Sequence, residues 1–237
     1  METELTPAAN QELTPVSWDE FLQRFSWRQG EHLTVIGPTG RGKTHLIKQL
    51  LPMRRCVVIV ATKPNDPLLD QFKADGYKVV RSLPLPPPEF IAPRVVFWPR
   101  NEDAGDIPKQ QVAIRDLLLQ VYRNGGYAVY FNEIHYVTKF LKLEPLVDLL
   151  YRQGRSLGVT VIAAAQRPFH IPLVAYDQAR HVFFFQENDD TNLRRIGSIG
   201  SIANRAIRQQ VARLETYQVL YLNTLDGTMM VTTAPPE

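Results

Sequence analysis

The sequence predicts an α/β fold with a doubly wound, mostly parallel sheet, and three observations predict it. Short apolar runs such as Cys56 to Ala61, Arg94 to Trp98 and Val159 to Ala165 alternate with segments of helical spacing. Continuous apolar, β-branched runs are what a parallel sheet covered on both faces requires. The run Gly37-Pro38-Thr39-Gly40-Arg41-Gly42-Lys43-Thr44 sits between a strand-like His32 to Ile36 and a helical Thr44 to Leu51, the strand, loop and helix order of a phosphate-binding loop. The length, 237 residues, suits one large domain with a well-buried core.

Composition narrows the class without naming a function. A net charge of +3 permits a polyanionic partner and does not demand one. The single cysteine, Cys56, lies in an apolar run, so there is no disulfide framework and a reducing compartment is expected. No apolar run reaches the roughly 20 residues of a membrane span, and Met1-Glu2-Thr3-Glu4 is acidic where a signal peptide would be basic. A cytoplasmic protein without a transmembrane segment is expected.

In chain order, residues 1–16 are polar, contain Pro7 and Pro15, and read as a flexible tail ahead of a single domain at 17–237. Ser17-Trp18-Asp19-Glu20 has capping-box spacing, and Trp18, Phe21, Leu22 and Phe25 recur at helical intervals. That aromatic face could cover the sheet or a neighbouring subunit. After the strand at Cys56 to Ala61, Thr62 to Pro67 forms a closing loop, Leu68 to Ala74 a short helix and Tyr77 to Val80 a strand. Pro84 to Pro88 cannot join a ladder and reads as an extended surface connection. A helix at Pro108 to Arg123 buries Val112, Ile114, Leu117, Leu118 and Val121 and stops at Asn124-Gly125-Gly126. Tyr127 to Phe131 is the next strand, Leu143 to Leu157 a helix stopped by Gly158, and Val159 to Ala165 another buried strand.

The chemistry concentrates where strands end. A phosphate tail needs many inward-pointing backbone N–H groups, and Gly37, Gly40 and Gly42 let the loop curl without an intervening side chain. Pro38, Thr39, Arg41 and His45 complete the loop and the first helical turn. Lys43 would add positive charge at the β- and γ-phosphates, and the Thr44 hydroxyl a Mg²⁺ ligand, so ATP with Mg²⁺ is the expected pair. Asn132-Glu133 follows the Tyr127 to Phe131 strand, where ligands bind in open α/β sheets. Glu133 is the candidate general base. Asn132 stands where an aspartate is usual, on the metal side, and fits either a weaker hold on Mg²⁺ or a natural or engineered variant with slowed hydrolysis. Gln166, at the tip of the Val159 to Ala165 strand, could contact both the γ-phosphate and the attacking water. His135 superficially matches a helicase Asp-Glu-x-His pattern, but Gln166-Arg167-Pro168 and the lack of a second similar domain argue against that reading.

Taken together, the Gly37 to Thr44 loop, Glu133, the Arg155 and Gly158 helix end and the Gln166-Arg167-Pro168 turn resemble the HerA/FtsK superfamily of P-loop ATPases, DNA translocases and viral packaging motors. The likeness continues through a strand at His181 to Phe185, then Asp189 and Asp190, and a final strand pair, Val219 to Leu222 and Met229 to Thr232, about Asp226-Gly227. It runs from Gly30 to about Thr232. The resemblance implies a RecA-like P-loop NTPase fold with helices on both faces of the sheet, the Gln166 strand between the P-loop and Glu133 strands, and a C-terminal strand pair. It also implies a homo-oligomeric ring, usually a hexamer, with Arg155 as an arginine finger reaching a neighbour's γ-phosphate and Arg152 as the alternative.

DNA, single- or double-stranded, is the implied substrate, with a capsid or membrane-vertex partner as an option. Lys139 and Lys142 flank Phe140 in a segment leaving the carboxyl edge, and Arg205 and Arg208 share a helix face. The arginine pair fits a DNA path or a subunit interface, and as readily as those two together a solvated helix face. The expected function is an ATP-hydrolysing DNA translocase that packages a viral genome. The alternatives are a plasmid-mobilisation or DNA-processing ATPase, and a Zot-like assembly factor that binds ATP without moving DNA.

Overall fold

The computed structural model of the chain describes residues 13–85, 87–88, 92–99, 103–198 and 204–235. The apolar runs become β1 (His32–Ile36), β2 (Val57–Val60), β3 (Lys78–Val80), β4 (Arg94–Phe97), β5 (Ala128–Phe131), β6 (Thr160–Ala165), β7 (Ala179–Phe185), β8 (Gln218–Asn223) and β9 (Met229–Thr233). The helices are α1 (Trp18–Arg24), α2 (Lys43–Leu50), α3 (Leu68–Ala74), α4 (Ile107–Asn124), α5 (Glu144–Gln153), α6 (Leu173–Asp177), α7 (Asp190–Gly197) and α8 (Asn204–Arg213). Among the described residues the strands form one sheet in the order β3-β4-β2-β5-β6-β1-β7-β8-β9.

Each neighbouring pair from β3 to β7 is parallel, and β8 and β9 are added antiparallel beyond β7. β6 lies between β1 and β5, as the family resemblance implied. Strand alternation divides the core into two layers. Val58 and Val60 of β2 pack with the buried faces of α4 and α5, while Val57 and Ile59 point to the other side, with α1, α2 and α3. Both faces of the sheet are therefore covered, which is why β2 and β5 read as continuous apolar runs.

The aromatic face of α1 is used inside the chain. The Ser17 hydroxyl accepts the Glu20 N–H at 3.2 Å and starts the helix. Phe21 and Phe25 then stack at 5.0 Å and meet Phe183 and Tyr221 edge-on. Phe21 and Phe25 thus cover β7 and β8 of their own sheet.

Local expectations change at four places. Residues 13–16, expected in the flexible tail, are held: Leu13 packs on the core, Val16 N–H donates to Val231 O at 2.8 Å, and Thr232 Oγ1 donates to Val16 O at 3.0 Å. Residues 1–12 lie outside the described residues. The Pro84 to Pro88 connection is not merely a surface spacer, because Leu85 is buried and exchanges two hydrogen bonds with the Gln120 side chain, at 3.0 and 2.7 Å; Pro86 lies outside the described residues. The helix expected to run to Leu157 stops being α-helical at Gln153 and tightens into a 3-10 turn, Gly154–Leu157, closed by Gly158 at φ 67°. The segment after Glu133 is helical, with a π-helical turn at Tyr136–Phe140.

A buried histidine ties β1 to β6 and α5. The His32 Nδ1 accepts the Val161 N–H at 3.0 Å, so the proton resides on Nε2, which donates to Tyr151 O at 3.0 Å. Burial, against the raising effect of the Tyr151 bond, draws the ring's pKa down to about 4. The unfolded chain takes up the proton near pH 6.5 and the folded chain does not. Stability is therefore complete above about pH 6.5 and falls as the pH drops toward about 4, by on the order of 3 kcal/mol from this residue. Urea unfolding at several pH values should show this decline, and His32→Gln should make it shallower; an unchanged profile in the variant would contradict the assignment.

Candidate active site

The loop from Gly37 to Gly42 joins β1 to α2 as expected, and Gly42 caps the helix at φ 98°, a left-handed conformation that a side chain strains. The Lys43 ammonium folds back onto the loop and donates to Gly37 O at 2.7 Å and Pro38 O at 2.8 Å. Burial lowers its pKa to about 8, with the charge of Glu133 opposing that drop. A cation desolvated this far and held by carbonyls alone is short of negative charge, which a polyphosphate would supply. A Cβ built on Gly40 meets nothing within 4 Å, so that part of the loop is open.

The strand order then brings distant residues together. One cleft is lined by Gly40, Lys43, Thr44, Asn132, Glu133 and Gln166. The Gln166 amide Nε2 donates to Glu133 Oε1 at 3.3 Å. The same oxygen takes the Lys63 ammonium at 2.8 Å, and among the described residues none donates to Oε2. Lys63 is 45% exposed, and a pair this accessible contributes only about 0–1 kcal/mol, so it separates easily.

Thr44 and Asn132 are linked through a buried phenol. The Tyr130 hydroxyl donates to Asn132 Oδ1 at 2.8 Å, and the nearby Thr44 side chain favours the phenol's charged form. Burial pushes the phenol's pKa up and keeps it a donor. The Asn132 carbonyl oxygen is fixed by that bond, and the Thr44 hydroxyl lines the same cleft. Two neutral oxygen donors suit a hard cation such as Mg²⁺, which retains several waters and needs few protein ligands.

The remaining candidates divide by location. Arg155 and Arg152 are exposed at the opposite, amino-terminal edge, where Arg155 O would lie 2.9 Å from a Cβ on Gly30, ahead of β1. Six residues of β6 separate the two edges, about 20 Å at strand rise. Arg155 makes no salt bridge among the described residues. Lys139 pairs with Glu144 at 2.6 Å, Phe140 is 57% exposed, and both line a hollow next to Glu133 with Gln166 and His170. Lys142 is exposed at φ 54°. Arg208 reaches Asp190 at 3.9 Å, while Arg205 is exposed. His45 bonds through its ring to Pro235 O. His135 stacks on His170 at 4.4 Å.

Lys63, Tyr130 and Tyr217 line or order the cleft and were not singled out in the sequence. Lys63 belongs to a closing loop and Tyr130 to an apolar run, and only the pairing of β2 with β5 brings Lys63 level with Glu133.

No protein-family model matches the sequence, and no curated protein matches it. Solved structures do match. The genome packaging NTPase B204 from Sulfolobus turreted icosahedral virus 2, in complex with sulfate, is 18% identical, with TM-score 0.64 over 89% of this chain and 100% of that one. VirB4 of Thermoanaerobacter pseudethanolicus is 8% identical, with TM-score 0.61 over 87% of this chain and 89% of that one. The cytoplasmic domain of the Thermomonospora curvata Type VII secretion ATPase EccC is 14% identical, with TM-score 0.56 over 89% of this chain and 26% of that one. The chain has the P-loop NTPase fold that its likeness to the HerA/FtsK superfamily implied.

The loop is also wedged against β7: a Cβ on Gly37 would lie 2.5 Å from Phe185 Cβ. Gly37→Ala must displace the loop or the strand and should cost about 1–3 kcal/mol, read as a lower urea midpoint. An unchanged midpoint would mean that the two do not press on each other.

Proposed function

We propose that this chain is an ATPase that drives DNA movement, most specifically a motor that packages a genome, working as a homo-oligomeric ring in the cytoplasm. The observation that carries the reading is the convergence of Lys43, Thr44, Asn132, Glu133 and Gln166 on one cleft at the carboxyl edge of the sheet. The likeness to the genome packaging NTPase B204 from Sulfolobus turreted icosahedral virus 2, captured with ATP-gammaS and with AMPPCP, and to B204, the DNA-packaging ATPase from Sulfolobus turreted icosahedral virus, supports it.

In this reading Lys43 leaves the Gly37 and Pro38 carbonyls for the β- and γ-phosphates, and the loop's N–H groups cradle them. Thr44 and the Tyr130-anchored Asn132 would hold Mg²⁺, directly or through water, and a bound ion would supply positive charge beside the phosphates. Glu133 takes the proton of the attacking water on Oε2. Gln166, already on Oε1, fixes that carboxylate and stands where it can sense the γ-phosphate. Lys63 holds Glu133 in place through a bond weak enough to release. Arg155, about a strand's length from its own cleft, serves a neighbouring copy. Lys139, Lys142, Arg205 and Arg208 are the proposed DNA contacts, acting on phosphates and hence strongly salt-dependent.

ATPase rate with and without double-stranded DNA tests the reading. Wild type should hydrolyse ATP faster with DNA, Lys43→Ala should lose turnover while staying folded, and Glu133→Gln should retain nucleotide and lose about 10²–10⁴ in rate. Normal turnover in Lys43→Ala would refute the phosphate assignment.

Arg155→Ala should lower the rate by about 10³–10⁵ with nucleotide affinity kept. Mixing Arg155→Ala with Lys43→Ala subunits should restore part of the activity, because some junctions then pair an intact cleft with an intact arginine. No recovery in assemblies shown to be mixed would count against action between copies.

A further inference from the structure

The core-facing stripe of α4 holds one residue that packing does not explain. Gln110, Ile114, Leu117, Leu118 and Val121 share the buried face of the helix, at the spacing of an apolar stripe. Gln110 stands at the head of that stripe and has no exposed surface. A buried amide is costly unless both its ends are paired. Here they are: Nε2 donates to Thr62 O at 2.9 Å, and Oε1 accepts the Tyr136 hydroxyl at 2.8 Å. Thr62 O can only accept, which fixes the orientation of the amide.

The two partners belong to the two segments that place Glu133. Thr62 immediately precedes Lys63, whose ammonium holds Glu133 Oε1 at 2.8 Å. The chain around Lys63 is held as well, since Asp66 Oδ2 accepts the Thr62 N–H at 3.3 Å and Lys63 O accepts the Trp98 indole N–H at 3.0 Å. Tyr136 opens the π-helical turn that follows Glu133, and its N–H donates to Glu133 O at 3.1 Å. Gln111, the next residue of α4, donates to Leu141 O at 2.8 Å, at the far end of that turn. α4 therefore grips the chain beside the lysine that tethers the carboxylate and again just beyond the carboxylate itself.

We propose that Gln110 is a positioning residue for Glu133, holding at a fixed spacing the two segments that decide where its second oxygen points. The proposal rests on the reading of Glu133 as the base that takes the proton of the attacking water. With Oε1 engaged by Lys63 and Gln166, the direction of Oε2 follows from the place of the Glu133 backbone and of the Lys63 anchor. One amide sets both. The Lys63 bond is exposed and separates easily, so it re-forms at the same place only if the backbone beneath it stays put. Stability alone is a weak reason for the amide, because replacing both members of a buried hydrogen-bonded pair with apolar groups of the same shape is close to neutral for folding.

ATP turnover and ATP binding by the full chain test this. Tyr136→Phe deletes one oxygen and keeps the ring that stacks on Phe140 at 4.9 Å, while Gln110→Met removes both bonds and keeps the length of the side chain. Gln110→Met should lower kcat by about 10- to 100-fold, the loss that a small misplacement of a catalytic group brings, with KM and ATP affinity as in wild type. Tyr136→Phe should lower kcat too, and the double variant should fall no further than Gln110→Met, since both changes break one tie. In a Glu133→Gln background Gln110→Met should change nothing, because the group it positions no longer accepts a proton. Wild-type kcat in either single variant would overturn the proposal. So would a fall in ATP affinity that matches the fall in rate, or an undiminished further loss on top of Glu133→Gln. Should Gln110→Met fail to fold, Tyr136→Phe reads the same tie alone. Normal turnover in Glu133→Gln would remove the reading of Glu133 as base, and this proposal with it, a result distinct from the others because it appears before Gln110 is touched.

Discussion

Everything at the carboxyl edge of the sheet depends on one alignment, the parallel ladder of β5, β6 and β1. Phe131 pairs with Ala163, and Ile36 pairs with Ala165. Neighbouring strands lie about 4.8 Å apart, so the residues that follow them emerge side by side. Glu133 comes level with Gln166 on one side, and the phosphate loop begins on the other with Gly37 N–H donating to Ala165 O at 3.2 Å. Because side chains alternate along a strand, a slip of one residue in β6 would send Gln166 to the other face. The Thr160 hydroxyl, which accepts the Gly30 N–H at 2.9 Å, helps to hold that register.

The same sheet separates two kinds of chemistry. Its carboxyl edge gathers groups whose charges compete: Lys43 and Lys63 on one side, Glu133 on the other, with the Lys43 ammonium already drawn down by burial. Its amino edge is organised by tight backbone turns, where Gly125 and Gly158 lie against the Gly154–Leu157 segment. A Cβ on Gly125 would come within 2.4 Å of Leu157 O, so the segment carrying Arg155 is pinned and not a swinging arm. The exposed guanidinium is thus presented from a rigid base, a geometry suited to meeting another molecule.

Much of this was legible in the sequence because the signals were local. The P-loop spacing, the capping Ser17, the Gly125-Gly126 stop and the apolar strands each follow from residues within a few positions of one another, and each matched an element within a residue or two. What stayed illegible depended on pairing across the sheet. Lys63 acquires meaning only when β2 lies beside β5, and Tyr130 only when its hydroxyl meets both Thr44 and Asn132. Tyr217 sits between α8 and β8 in a segment whose turn is stabilised by its own side chains, and no periodicity marks such a residue. The break in the helix at Gln153 escaped notice because Leu157 continued the apolar spacing even though the backbone had tightened.

The residues that hold Val16 to β9 have a bearing on how copies of this chain can associate. A sheet ends in rows of unpaired amides and carbonyls, which invite a second sheet to add on. At one margin the incoming segment at Val16 occupies part of that row through Val231 and Thr232. At the other, β3 is only three residues long and begins with an exposed lysine, Lys78. With one border shielded and the other too short and charged to template growth, strand-to-strand stacking into filaments is disfavoured. Any association between copies is left to helices and loops, surfaces that can close on themselves.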